Sequence, residues 1–429
     1  MTRFVCKLYE SDTFRVDNSV SVNLNDSSTY HYTLWRNNRK HLYQIPRYFE
    51  NGALDLFYIG LIVFYADRTV RREEQPDSWT RSFEIYMPVL ELSKWIALKE
   101  TLQRALNFLT GDCWEFIFRE RVCITNQEYT YKKGKWHFRK STRKLDADEI
   151  CMLSGGLDSY IGAINLLSAK TKVVFVGNYN GGKGVSVYQN KVIDKLVNHF
   201  CISRDCFFQF YAAPICGVEE STRSRSLLFF SHAILLASGM GKPMRLCIPE
   251  NGVISLNVPL TIHRTGSLST RTTHPYYIGL LQDIINGMGL PITLYNPFQF
   301  KTKGEMMLEC KDFEFLKNTY PITMSCSHPD LGRWRRESGS SHCGVCLPCT
   351  IRRAAILKAG LQDESIYRDP NYRDKEAQVN LRSYKLGLLS SKNPKLAIQE
   401  SGPISSNKDA FADLYQRGIQ ELGEFVKSK

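Results

Sequence analysis

The 429-residue sequence has no apolar run long enough to cross a bilayer. Its most apolar stretch, 227–237, is broken by Ser231 and His232 and reads as a buried helix. The opening residues, "MTRFVCKLYESDTF", lack the apolar core of a secretory signal, so a cytoplasmic protein with no membrane partner is expected. No internal repeat is present, which excludes a repeat array. No G-x-x-x-x-G-K-[ST] segment occurs, which excludes the lysine-containing phosphate loop of ordinary NTPases. A disulfide framework is also not expected, because the 13 cysteines are odd in number and a reducing compartment keeps thiols free. Acidic residues are in deficit, 43 against 56 basic ones, for a net charge of +13. That excess fits a nucleic-acid partner, or a field that attracts nucleotides and acidic proteins. It is partly concentrated in "YKKGKWHFRKSTRK" (131–144) and "RWRR" (333–336), which read as solvated surfaces or as an RNA-binding face.

What is present is the composition of a globular protein, 43% hydrophobic and 23% charged, with length enough for two or three domains. Residues 1–145 read as a smaller, mixed α+β domain with much antiparallel sheet. In it, 19–25 and 83–90 have strand composition, and 54–66 reads as a strand pair or one long strand. Apolar residues at helical spacing (Trp95, Leu98, Leu102, Leu106, Leu109) mark a helix over 92–111, with Gly111 as its cap. From 146 to 360 strands and helices alternate, which implies a parallel sheet covered by helices, with ligands at the carboxyl ends of the strands. Residues 361–429 form a polar helical extension, a docking tail or a cover.

The segment "CMLSGGLDSYIGA" (151–163) reads as strand, tight turn and helix. Such a turn aims backbone N–H groups at one point, and the helix dipole adds positive potential. Gly155 and Gly156 admit close approach of a phosphate, and Ser154 and Ser159 add hydroxyls. Asp158 is a carboxylate at an anion site, which is sensible if Mg²⁺ bridges it to phosphates. In "ITMSCSHPDLGRWRRESGSSHCGVCLPCTIRR" (322–353), Cys343, Cys346 and Cys349 are spaced by two residues, and Cys326 lies upstream. Four thiolates with no open position suit a structural zinc ion; an iron–sulfur cluster is the competing reading.

"SGGLDS" (154–159) resembles the pyrophosphate loop of the N-type ATP pyrophosphatases, which adenylate a substrate oxygen and release pyrophosphate. Combined with the cysteine segment it resembles the 7-cyano-7-deazaguanine synthase (QueC) family over about 148–360. "TRSRSLLFFSHAILLA" with Arg225, though with Ser226 where the family has Asn, and "NPFQFKTKGEMM" with Lys303 and Glu305 resemble segments of that family in order. The resemblance implies a Rossmann-like ATP pyrophosphatase (HUP-type) domain with a zinc-bound C-terminal segment. It implies ATP bound by Ser154, Gly155, Gly156, Leu157, Asp158 and Ser159, with Asn178 and Gly182 near adenine. Asp158, Lys303 and Arg225 would be the catalytic residues.

The sequence departs from the family at 250–275. There Glu250, Asn251 and His274 stand where a Tyr-Pro-Asp run would read the deazaguanine. That stretch and the first 145 residues look like the QueC-like proteins of bacterial anti-phage defence, such as the component of the Qat system. The implied reaction is adenylation of a 7-deazaguanine carboxylate, then amide formation with an amine, ammonia or a peptide terminus, the favoured acceptor being the amino terminus of a partner protein of a defence operon. A housekeeping nitrile synthase and a tRNA-modifying or RNA-binding enzyme are the alternatives, and a nucleic-acid partner is not favoured.

Overall fold

The structure, a computed structural model, describes residues 1–32, 44–121, 144–179, 183–220, 223–259, 271–330, 332, 339–389 and 393–429. Gly182, the basic residues 131–143 and the segment 333–336 lie outside these. The strands are β1 (Thr2–Lys7), β2 (Val20–Asn23), β3 (Tyr30–Tyr32), β4 (Ser82–Val89), β5 (Cys113–Glu120), β6 (Glu149–Met152), β7 (Val173–Tyr179), β8 (Phe207–Pro214), β9 (Met244–Cys247) and β10 (Ile292–Tyr295). The helices are α1 (Asn51–Thr69), α2 (Leu92–Thr110), α3 (Leu157–Ser168), α4 (Lys183–Phe200), α5 (Arg225–Ser238), α6 (Gly252–Leu256) and α7 (Pro275–Gly287). They continue with α8 (Lys303–Leu308), α9 (Phe313–Thr319), α10 (Leu347–Lys358), α11 (Lys375–Leu389), α12 (Pro394–Ala397) and α13 (Lys408–Lys427). No described helix is long and apolar enough to cross a membrane.

The chain is α/β. One sheet has the order β2-β1-β4-β5 and every pairing in it is parallel. The other has the order β10-β9-β6-β7-β8-β3 and is mixed, because β3 runs antiparallel to β8. Parallel pairing of β1, β2, β4 and β5 corrects the expectation of much antiparallel sheet near the start. Residues 8–19 carry turn chemistry like that of a hairpin, but they are numerous enough to bring the chain back to the same end. The stretch 54–66 is also corrected, from strand to helix, as part of α1. Nearly every residue of α1 is buried, so no polar face marks a helical period. For such a run only length separates helix from strand.

Two compact units are formed. The first comprises Met1–Ile150, Phe208–Leu246 and Gly279–Leu294. The second comprises Cys151–Phe207, Cys247–Ile278 and Tyr295–Lys429, so 361–429 belongs to it. In the first unit, Asp67 and Asp112 are buried and neutralised by Arg81 and Arg72, with Arg81 2.7 Å and Arg72 2.8 Å from Asp112. Ser224 joins this network by donating its backbone N–H and its hydroxyl to Asp67, at 2.9 and 2.6 Å.

In the second unit the core packs Tyr160, Ile161 and Ile164 of α3 with Val192 and Leu196 of α4, Met306 and Met307 of α8, and Ile356 of α10. Helix α13 is amphipathic and buries Phe411, Leu414, Leu422 and Val426 against α6, α10, α11 and α12.

Candidate functional site

The glycine turn forms as the sequence indicates. Gly156 is the N-cap of α3 and brings no capping side chain to the N–H groups of the first turn. Gly155 has φ +85°, where a Cβ costs roughly 1–2 kcal/mol and favours glycine. A Cβ there would also stand 3.1 Å from the backbone N and Cγ of Gln189. Ser154 and Ser159 brace the turn from within. The two hydroxyl oxygens are 3.0 Å apart, Gly156 N–H donates to Ser154 Oγ, and Ser159 Oγ donates to the Gly156 carbonyl. From outside, Gln189 Nε2 donates to the carbonyls of Ser154 and Asn178, and Met324 N–H donates to the Gly155 carbonyl. Asn178 is buried at the end of β7, so Gln189 couples that strand end to the turn. Leu157, the first residue of α3, is a core residue and anchors the helix.

Around Asp158 the structure assembles residues far apart in sequence. Its carboxylate is 5% exposed and 2.7 Å from Lys303 Nζ. Asn251 donates to it twice, through N–H at 3.1 Å and Nδ2 at 2.7 Å, while its own Oδ1 caps α6 by accepting from Ile254 N–H. Gly162, one turn along α3, makes the approach possible, since a Cβ there would be 2.5 Å from Pro249 Cβ. Burial would raise the Asp158 carboxyl, but Lys303, with bonds from Glu250 and Asn251, outweighs it and holds it below the usual range. Glu250 moves the opposite way. Burial and the negative charge of Asp158 push it well above the usual range, so it is the protonated member that donates to Asp158.

Folding therefore takes up a proton at Glu250. That contribution is complete below the ordinary carboxyl range and is lost as the pH rises through the raised value. Glu250→Gln keeps a donor and removes the titration. In chemical denaturation between about pH 5 and 9, wild type is expected to lose stability relative to E250Q as the pH rises. Parallel curves would show that Glu250 is ionised throughout.

Lys303 begins α8, whose N-terminus is unusually well held. Thr302 and Glu305 form a reciprocal capping box. Glu421 of α13 accepts from Thr302 Oγ1 and, at 3.0 Å, from Gly304 N–H. Arg417, one turn earlier, donates to Glu305 at 2.8 Å and to the Phe300 carbonyl at 2.8 Å. Glu421 and Arg417 were not foreseen. The Thr-x-x-Glu spacing at 302–305 is the local signal that could have found the cap, but nothing local points to a partner at 421.

Arg225 opens α5 in the first unit, next to Ser224 and its Asp67 network. His274 is fully buried before α7, and its Nδ1 accepts from Tyr276 N–H. Burial, with Arg271 nearby, holds its imidazole at about 4, so it is neutral near pH 7.

The four cysteines converge. Sulfur atoms of Cys326, Cys343, Cys346 and Cys349 all lie within 4.8 Å of one another and can hold a metal ion such as zinc. The pairs Cys326–Cys346 and Cys343–Cys349 are each 3.9 Å apart. A tetrahedron with Zn–S bonds of about 2.3 Å has edges of about 3.8 Å, so the spacing fits. Backbone N–H groups of His328, Cys343 and Cys346 donate to the sulfurs at 3.3 Å, as thiolates require. Cys346 is the N-cap of α10 and Cys349 lies in its first turn. An ion there would tie the 326 segment to that helix. Magnesium fits less well. Both oxygens of Asp158 already have protein partners, and among the described residues the cysteine group is where three or more metal-ligating side chains meet.

No protein-family model matches the chain, and no curated protein matches it.

Proposed function

We propose that the chain is an ATP-dependent ligase that adenylates a 7-deazaguanine carboxylate and passes the acyl group to an amine, the amino terminus of a partner protein in anti-phage defence. The observation behind this reading is the turn 154–159. It combines a left-handed glycine, a helix N-terminus that no side chain caps, and an Asp158–Lys303 pair in the first turn. A carboxylate oxygen attacks the α-phosphorus of ATP and pyrophosphate leaves with the bridging electron pair. The amine then attacks the acyl carbon and AMP departs. The N–H groups of α3 would receive the departing pyrophosphate, and Lys303 supplies positive charge beside it. No nucleophile is needed from the protein, because the acyl-adenylate is already activated.

The test is exchange of labelled pyrophosphate into ATP, dependent on 7-carboxy-7-deazaguanine. Gly155→Val, which places a branched Cβ against Gln189, is expected to lower exchange by about 100-fold or more with the zinc content unchanged. A folded, zinc-loaded protein that shows no exchange with this carboxylate refutes the reading. Intact-mass analysis of co-expressed neighbouring proteins distinguishes a terminal amide from a free nitrile product.

A further inference from the structure

The all-parallel sheet of the first unit has its own ligand geometry. In the order β2-β1-β4-β5 the chain leaves β1 toward β2 but leaves β4 toward β5. Outgoing connections that part in this way open a crevice at the carboxyl ends of the two central strands, where parallel sheets bind ligands. A cavity of about 480 Å³ lies there. It is lined by Tyr9, Asp12 and Phe14 from the segment after β1, Pro88 from β4, and Arg119 and Arg121 at the end of β5. Its size is within the usual range of small-molecule sites, roughly 300–1,000 Å³.

The lining combines cations with aromatic surface. Arg119 and Arg121 are two residues apart, so strand geometry sends both to the same face. Arg119 donates to the Cys6 carbonyl at 2.9 Å and pairs with Asp12, and its guanidinium lies 4.7 Å from the centre of the Phe14 ring. Its Nε is buried with no hydrogen-bond partner among the described residues. Arg121, almost fully buried, donates to Tyr9 Oη at 2.9 Å. Asp12 is thus the chain's own oxyanion, set on Arg119 where a ligand's would sit. Ser11 and Thr13 on either side of it are exposed and border the opening.

We infer that this cavity is a second binding site, for a small ligand that carries an oxyanion on an aromatic body. The phosphate or carboxylate takes the fork of Arg119 in place of Asp12, and the body lies against Tyr9 and Phe14. The site is independent of the reaction proposed for the second unit.

The test is isothermal titration of the full-length protein with two probes that share one body, phenyl phosphate and benzoate. At least one is expected to bind at millimolar concentration or better, and which one does so separates a phosphate ligand from a carboxylate. Arg119→Gln is expected to weaken that binding at least tenfold. Asp12→Asn, which removes the internal competitor, is expected to strengthen it. Thr13→Trp changes no charge and is expected to block it by filling the mouth, so the outcome does not depend on the fold tolerating R119Q. The inference is overturned if neither probe binds or if D12N weakens binding. It is also overturned if binding survives R119Q and T13W but is lost in G155V, which would place the anion on the glycine turn.

Discussion

Replacing Lys303 with Met is expected to destabilise the protein by about 3–5 kcal/mol and to abolish carboxylate-dependent pyrophosphate exchange. The stability loss follows from what remains. Asp158 is 5% exposed, and without Lys303 it keeps only the dipoles of Asn251 and a proton shared with Glu250. Removing one partner of a buried pair leaves an uncompensated charge, and the cost is of that size. The carboxyl would answer by taking a proton, so the loss should be greatest at high pH and shrink as the solution is acidified. The double variant K303M/D158N carries no charge to strand, so it should recover most of the stability and none of the exchange. Chemical denaturation of the three variants at two pH values separates the effects. If K303M is as stable as wild type, the Asp158–Lys303 pair is not the buried charge couple described above.

Cys349→Ser should be nearly as damaging by a different route. Wild type is expected to carry about one zinc ion per chain by elemental analysis, and C349S to carry almost none. Cys349 is fully buried in the first turn of α10, whose helix packs on both α8 and α13. Structural zinc contributes about 10–16 kcal/mol in small finger peptides. The second unit has a hydrophobic core of its own, so a smaller loss, of several kcal/mol, is expected here. A chelator should lower the melting temperature of wild type and leave C349S unchanged. Iron in place of zinc would show itself by visible absorption, and equal melting with and without chelator would remove any structural role for the ion.

What could be seen in the sequence was what is local. The turn at 154–159 and the C-x2-C-x2-C run are consecutive, so their spacing already states their geometry. Helix α2 was legible because its buried side, Trp95, Leu102, Leu106 and Leu109, repeats at the helical period. Helix α1 was not, because burial on every side erases that period. The Asp158 cluster was legible only as separate residues. Asn251 lies 93 positions from Asp158, and no spacing rule reaches that far. Glu250 was singled out as a reader of substrate edges, yet its carboxyl faces Asp158, and only the fold could show that. His274 and Arg225 were named through a resemblance of segments; in the structure His274 accepts a neighbouring N–H, and Arg225 begins a helix whose N-cap, Ser224, is bound to Asp67.

The hold of α13 on the start of α8 also bears on how fast the protein can fold. Helix α8 has six residues and cannot persist alone. Its contact with Glu421 closes a loop of 119 positions, and such closures carry an entropic cost that local helices do not. Chains in which non-local contacts dominate fold slowly. Lys303 should therefore reach its place only late, after local helices such as α3 have formed. During refolding there should then be an interval in which α3 is formed but Asp158, near its start, still lacks its lysine partner.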